Sequence, residues 1–364
     1  MNNKAEEKAL KILNILHEYG HESYIVGGYV RDKLIGIESN DIDICTSATP
    51  KEIMEIFPNT SSPNYGSINI LYKNTNFDIT TFRRDIKYQD NRLPVKIKYI
   101  KNIKKDLLRR DFTINTICID KDGNVVDYLN AIPDLNNHRI KTVGNPRYRL
   151  KEDALRILRA VRFATILDFD IDTKTEHYLK KYAYLLKKLS SHRVKQELDK
   201  IFTSTKVEKG IELLTNLKIA EQLKISTLNK ITPCDDLIGI WTQLNVDDIY
   251  PFTKVEKQQM TSIRELLELD LHDKYNIYKY GLYTATVAYQ IKKESIAELN
   301  KVYKELPIQC PKDLALTKQE IAQVLNKEPG EYLKEIVTSL EKAILYDEIK
   351  NTSQDLTKYI KEHF

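Results

Sequence analysis

In the stretch GIESNDIDICTSATP, residues 36–50, Asp41 and Asp43 stand two apart among Ile42, Ile44 and Cys45, residues suited to a sheet interior. Side chains at i and i+2 of a strand leave the same face, so the two carboxylates are predicted to lie together. Like charges that close raise one another's pKa unless a cation stands between them. Mg²⁺ is usually bound through one or two carboxylates plus substrate phosphates, and a pair of metals serves phosphoryl and nucleotidyl transfer. An isolated DxD also occurs as a plain structural or solvated element, so the neighbouring segments decide between the two readings.

Upstream, VGGYVRD sets Gly27 and Gly28 between a strand and a helix. Such a turn lets backbone N–H groups approach a phosphate, with Arg31 in reach of the same group; it serves equally as a bare turn. Asp78, in FDITTF, is a candidate third catalytic carboxylate on a neighbouring strand, or else a partly exposed strand residue. In RRDFTIN, Arg109 and Arg110 precede Asp111. Guanidiniums suit bidentate phosphate contacts, and one of the pair could instead bridge to an acid inside the protein. In EDALRILRAVRFA, Arg156, Arg159 and Arg162 recur every third residue, while Leu155, Leu158 and Val161 share that period one step behind. The segment reads as one helix, its arginines either solvated or functional. With Asp153 and Arg156 three apart on one face, an acceptor and a fork of donors can meet the Watson–Crick edge of a base.

Short β-like segments in the first 150 residues must carry these groups: SYIV, NDIDICTS, SINILY, NFDITTF and TINTICID. Helical pieces at YVRDKLIG, TPKEIMEIF and IKKDLLRRD intervene, which fits an α/β domain with a mixed sheet. The N-terminal segment reads as an amphipathic helix with Leu10, Ile12, Leu13 and Leu16 as its apolar stripe. Past residue 150 apolar residues fall at helical spacing and only Gly210, Gly239, Gly281 and Gly330 occur, so the second half is predicted helical, with breaks near SSHRV, TPCDD and LPIQCPKD.

The chain has 364 residues, 41% apolar and 30% charged, enough for more than one core. No apolar run is long enough for a membrane span, and the N-terminus matches neither a secretory signal nor a transit peptide. Cys45, Cys118, Cys234 and Cys310 are scattered without zinc-type spacing, and read as free thiols of a cytoplasmic protein. The net charge of +5 decides little, but seven Lys or Arg against two acids fall between Lys180 and Lys200. That zone is either a solvated helix face or a phosphate-contacting surface.

Taken in order, GGYVRD, DID, RRDFTIN, DYLNAIPDLNNHRIKTVG, EDALRILRAVRFA and HRVKQEL resemble the class II tRNA nucleotidyltransferases, the CCA-adding enzymes of the poly(A) polymerase family. The resemblance covers roughly residues 20–200. It implies a polymerase-β-like α/β nucleotidyltransferase head (1–147), a helical neck that selects nucleotide (148–205), and an all-α body and tail that bind tRNA (206–364). It further implies that Asp41 and Asp43 hold two Mg²⁺ ions and that Gly28, Arg31 and Arg110 contact the triphosphate of CTP or ATP. Asp153 and Arg156 would then select the base, Arg159 and Arg162 would meet the incoming nucleotide or its phosphates, and HRVKQEL would support that helix. Lys180, Lys181, Lys187 and Lys188 become candidate RNA contacts, for an enzyme working on the tRNA 3′ end as monomer or homodimer. The segment Arg83–Leu108 resembles the flexible loop of CCA-adding and A-adding members, and PNYGSINILY (63–72) the CCA-type strand. Thr116 stands where the family usually has alanine, and YLNAIPDL lacks a glycine often found there. An A-adding enzyme, a poly(A) polymerase and a non-catalytic RNA-binding protein are the alternatives.

Overall fold

The computed structural model describes residues 4–58, 60, 66–89 and 93–364. It divides into two compact units, Met1–Asn229 and Lys230–Phe364. The first takes in the sequence ranges 1–147 and 148–205 and the beginning of 206–364.

The first unit opens with α1 (Lys4–Glu18), β1 (Ser23–Val26), α2 (Gly28–Leu34), β2 (Asp43–Thr46), α3 (Pro50–Ile56), β3 (Ser67–Tyr72) and β4 (Thr75–Thr81). It continues with β5 (Arg83–Gln89), β6 (Leu93–Tyr99), α4 (Ile103–Leu107), β7 (Cys118–Ile119), β8 (Val125–Val126), α5 (Ile132–Asn136) and β9 (Arg139–Ile140). Then follow α6 (Pro146–Glu152), α7 (Leu155–Ile166), β10 (Asp170–Ile171), α8 (Thr173–Tyr182), α9 (Ser191–Phe202), α10 (Val207–Asn216) and α11 (Ile219–Gln222). Six strands form one mixed sheet in the order β3-β4-β2-β1-β7-β8. β2 and β4 pair in parallel, and the other neighbours are antiparallel.

Local chemistry explains these elements. α1 buries Ile12, Leu13 and Leu16 completely and Leu10 partly, as its apolar stripe requires. α3 starts at a capping box in which Thr49 and Glu52 satisfy each other's backbone N–H groups. Val26, Cys45, Phe82, Ile103, Leu107 and Cys118 pack where α4 meets the sheet.

Four expectations change. The segment expected as a loop after β4 is mostly the β5–β6 hairpin followed by α4; its residues 90–92, and 63–65 of PNYGSINILY, lie outside the described residues. In TINTICID only Cys118 and Ile119 form strand, because Thr113–Asn115 is a tight 3₁₀ turn. There the Thr116 hydroxyl donates to the Thr113 carbonyl (2.7 Å), a local bond that competes with a ladder. Thr116 is thus fully buried yet satisfied, which accounts for a hydroxyl where the family has alanine. EDALRILRAVRFA is not one helix: α6 ends at Glu152, and Asp153 lies extended (φ −140°, ψ 101°) before α7. Its carboxylate accepts from Leu155 N (3.0 Å), so the acid ends one helix and starts the next. Finally, the helical half contains one short strand, β10, paired with β9.

The second unit is helical: α12 (Leu237–Leu244), α13 (Lys254–Leu267), α14 (Lys274–Lys292), α15 (Ile296–Glu305), α16 (Lys318–Val324), α17 (Tyr332–Leu345) and α18 (Ser353–His363). α14 is interrupted at Gly281, whose φ of +77° suits a residue without Cβ. In its core the Tyr278 hydroxyl donates to Glu341 (2.6 Å), a carboxyl only 6% exposed. Burial pushes the Glu341 pKa above its ordinary value, with the Tyr278 bond and the Lys318 charge opposing. The folded state therefore favours the protonated acid, and stability falls as pH rises through the folded pKa. Glu341→Gln still accepts from Tyr278 and is expected to add about 1 kcal/mol at pH 8 and little at pH 4. Melting curves at the two pH values check this; equal pH dependence in both proteins would refute it.

Candidate active site

β1, β2 and β4 bring Val26, Asp43 and Asp78 into one row, since Val26 is opposite Asp43 and Asp43 is in register with Asp78. Asp41 lies just before β2 rather than on it, and both Asp41 and Asp43 are exposed. The expected pair on one strand is therefore one strand residue and one residue of the entering loop. Asp78 accepts from the Asn69 amide (3.1 Å). A cleft of about 340 Å³ lies over this row, lined by Asp43, Ser67, Thr80, Arg83, Arg109 and Arg110.

Gly27 closes one side with φ +90°, and a Cβ there would lie 3.5 Å from Asp43 Oδ2 and 3.6 Å from Arg110 Nη1. Gly27 is thus the glycine packed beside Asp43 and Arg110, while a Cβ on the adjacent Gly28 would lie 3.7 Å from Arg31 Nη2. Arg31, buried, donates to Asp32 Oδ1 (2.8 Å) and Asn115 Oδ1 (2.8 Å). Its guanidinium shares the Phe163 ring with those of Arg159 and Arg162, at 5.1, 5.3 and 4.5 Å from the centroid.

The electrostatics are unbalanced. Desolvation, followed by the charge of Asp41, pushes the Asp43 carboxyl up to about 6; Arg110 opposes this and Asp78 adds to it. Among the described residues no three His, Cys, Asp or Glu side chains group closely enough to form a metal cage. One or two carboxylates completed by phosphate oxygens is nevertheless the usual donor set for Mg²⁺, and Asp41 and Asp43 fit it.

Asp106, fully buried at the end of α4, aligns Arg109 and Arg110. It accepts from Arg109 Nε (2.8 Å) and Arg83 N (3.0 Å) and lies 3.6 Å from Arg110 Nη2. Both members of the pair thus bridge to one internal acid, Arg109 by a direct hydrogen bond and Arg110 by a longer ion pair. Asp111 accepts from Arg159 Nε (2.8 Å) and Nη2 (2.5 Å), Asn115 Nδ2 (3.0 Å) and Phe112 N (2.8 Å). Burial alone would raise its pKa, but the Arg159 charge and these bonds hold it well below the usual carboxylate range. Arg162 pairs with Glu197 of HRVKQEL (2.8 Å). Arg156 donates to the Arg149 (2.8 Å) and Arg109 (2.9 Å) carbonyls.

The three arginines of α7 are therefore tethered by the protein itself instead of forming a solvated stripe. Lys180 and Lys181 end α8, and Lys187 and Lys188 end the 3₁₀ turn after it, all four exposed. The roles of Asp106 and Arg149 were missed by sequence reasoning, although Asp106 stands three and four residues before Arg109 and Arg110, a helical spacing that signals such pairs. The partners Asp111–Arg159 and Glu197–Arg162 join distant segments and leave no local signal.

The sheet and its cleft define a nucleotidyltransferase with a polymerase-β-like head. Residues 23–141 match the family "Poly A polymerase head domain", 168–226 match "Probable RNA and SrmB- binding site of polymerase A", and 251–360 match tRNA nucleotidyltransferase domain 2. The CCA-adding enzyme of Ligilactobacillus salivarius is 34% identical over 98% of this chain and 96% of its own. That of Staphylococcus epidermidis is 31% identical over 100% and 99%. The chain belongs to the family of CCA-adding enzymes. Its fold is that of the Bacillus stearothermophilus CCA-adding enzyme solved with CTP, with a TM-score of 0.87 at 24% identity over 99% of this chain and 98% of that one. The Thermotoga maritima enzyme complexed with tRNA_CCA gives 0.73 at 22%, over 99% and 96%. No described helix is long and apolar enough to cross a membrane.

Proposed function

We propose that this chain completes and repairs the 3′ end of tRNA, adding C, C and A in turn from CTP and ATP without a nucleic-acid template. The terminal ribose oxygen attacks the α-phosphorus, the bond to the bridging oxygen breaks, and pyrophosphate leaves while the hydroxyl proton passes to solvent or base. Asp41 and Asp43 would hold two Mg²⁺ ions, with Asp78 beside them; bound there, the metals stabilise charge on the attacking and leaving oxygens. Arg110, aligned by Asp106 and adjacent to Gly27, would contact the triphosphate together with Gly28 and Arg31. Asp153 and Arg156 select the base, with Arg159 and Arg162 behind them. Positioning and fixed charge supply the catalysis. The head, neck, and body with tail are assigned to 1–147, 148–205 and 206–364, and the lysines from 180 to 188 to tRNA phosphates. A cytoplasmic monomer or homodimer fits these roles.

One observation carries this reading: Asp43, its pKa pushed up by desolvation and the neighbouring Asp41 and Asp78 charges, shares a cleft with Arg83, Arg109 and Arg110, an acid for metal beside cations for a triphosphate. The test uses a tRNA transcript ending at the discriminator base with CTP, ATP or both, followed by sequencing of the 3′ ends. CC from CTP alone and CCA from both are expected, with no further growth. Addition of A only to ends already bearing CC would make it an A-adding enzyme, and long A tails a poly(A) polymerase.

Asp153→Ala is expected to reduce discrimination between CTP and ATP by about tenfold to a hundredfold, the value of a good bidentate base contact. Asp153→Asn, which can still accept from Leu155 N, separates base reading from the helix break. Unchanged nucleotide selectivity in both variants would remove Asp153 from the selecting pair.

A further inference from the structure

Two guanidiniums converge on one peptide carbonyl at the edge of the cleft. Arg149 Nη2 donates to Arg109 O (2.5 Å) and Arg110 O (3.0 Å), and Arg156 Nη2 donates to the same Arg109 O (2.9 Å). Arg156 Nη1 in turn reaches Arg149 O (2.8 Å), and Glu152 pairs with Arg149. The side chains of Arg149 and Arg156 are only 12% and 6% exposed, so these carbonyl bonds are sheltered from solvent. On the other side of the same backbone, Asp106 fixes the Arg109 guanidinium that lines the cleft. The Arg109–Arg110 segment is thus held from its side chains by α4 and from its carbonyls by α6 and α7. α6 ends at Glu152, immediately before Asp153, and α7 carries Arg156.

We propose that Arg149 is a positioning residue that fixes the Arg109–Arg110 guanidiniums at a set distance from the Asp153–Arg156 corner. A nucleotide held by its base at that corner then presents its α-phosphate over Asp43 in one register. This rests on the nucleotidyl-transfer reading above. Arg149 divides its guanidinium, Nη2 donating to both carbonyls while Nη1 pairs with Glu152; an ammonium offers one donor nitrogen for all of these, and an alanine none. Misplacement of a reacting group by about 1 Å costs on the order of a hundredfold in rate, while binding of the separate halves of the nucleotide survives.

The test compares full-length wild type with Arg149→Lys, Arg149→Gln and Arg149→Ala, measuring kcat and KM for C and A addition at saturating tRNA, beside melting temperatures. The expected order of kcat is wild type, Lys, Gln, Ala, with alanine lower by about tenfold to a hundredfold and KM for CTP changed much less. If the alanine protein does not fold, the lysine and glutamine proteins carry the same comparison. Equal kcat across the folded variants overturns the proposal. So does a loss confined to KM, or lysine and glutamine equally impaired, which is the behaviour of a simple structural staple. If wild type adds no nucleotide to tRNA, the function reading itself fails, a result distinct from wild-type activity that ignores Arg149.

Discussion

Replacing Asp41 and Asp43 together by asparagine is expected to abolish nucleotide incorporation, by a factor of about 10³ or more, while tRNA binding persists. The magnitude follows from the several kcal/mol that bound metal contributes to the transition state, each 1.36 kcal/mol being about tenfold in rate. The structure gives a reason for the separation of the two effects. Asp43 sits at the first residue of β2, with Asp41 in the loop before it and both exposed, so asparagine removes charge without opening the core. It also removes the charge whose desolvation, with the repulsion from Asp41, pushes Asp43 up to about 6, so the folded protein should be no less stable. Single-turnover incorporation and tRNA retardation, measured on one preparation, check both halves. Full activity in the double variant would remove these carboxylates from the chemistry.

The largest effect on stability is expected at Asp111. Its carboxylate is 9% exposed and takes four hydrogen bonds, two of them from Arg159. Asp111→Ala leaves that guanidinium without its anion, for which a loss of about 3 kcal/mol is expected. This is the low end of the usual range, because 31% of the Arg159 side chain remains in water. The native pKa of Asp111 is depressed, so its contribution is present above the unfolded carboxylate pKa and disappears as pH falls through the folded value. Urea titrations at pH 7 should therefore separate wild type from variant, and titrations in increasing acid should bring them together. A gap that stays constant with pH would point to lost packing instead of lost charge.

The sheet was legible because its strands carry alternating apolar residues bounded by turns, and that pattern depends on nearest neighbours. SINILY and NFDITT fold as read, as β3 and β4. The strands Arg83–Gln89 and Leu93–Tyr99 follow a local alternation of charged and apolar residues that a family likeness to a loop does not contain. The helix expected across Asp153 failed for a different reason. Periodicity registers the leucines and arginines on either side, but it cannot see one carboxylate turning back to Leu155 N. Of the residues singled out by type and order, Asp43 and Arg110 both line the cleft. What type and order could not show is which arginine each internal acid would tether, since Asp111–Arg159 and Glu197–Arg162 exist only once distant segments pack together.

The single parallel pairing in the sheet, β2 with β4, has a consequence for how the protein is made. A parallel neighbour cannot be reached by a tight hairpin, so Asp43 and Asp78 meet only after α3 and β3 have been threaded between them. Arg110 and the carbonyl clamp from Arg149 and Arg156 arrive later still along the chain. Each is a non-local contact whose loop-closure entropy must be met before it adds stability, which places cleft assembly among the slow steps of folding. On the ribosome, a chain that has emerged only as far as β4 carries Asp43 and Asp78 but none of the arginines that line the cleft, so the cleft is completed only after the helices of the first unit have left the exit tunnel.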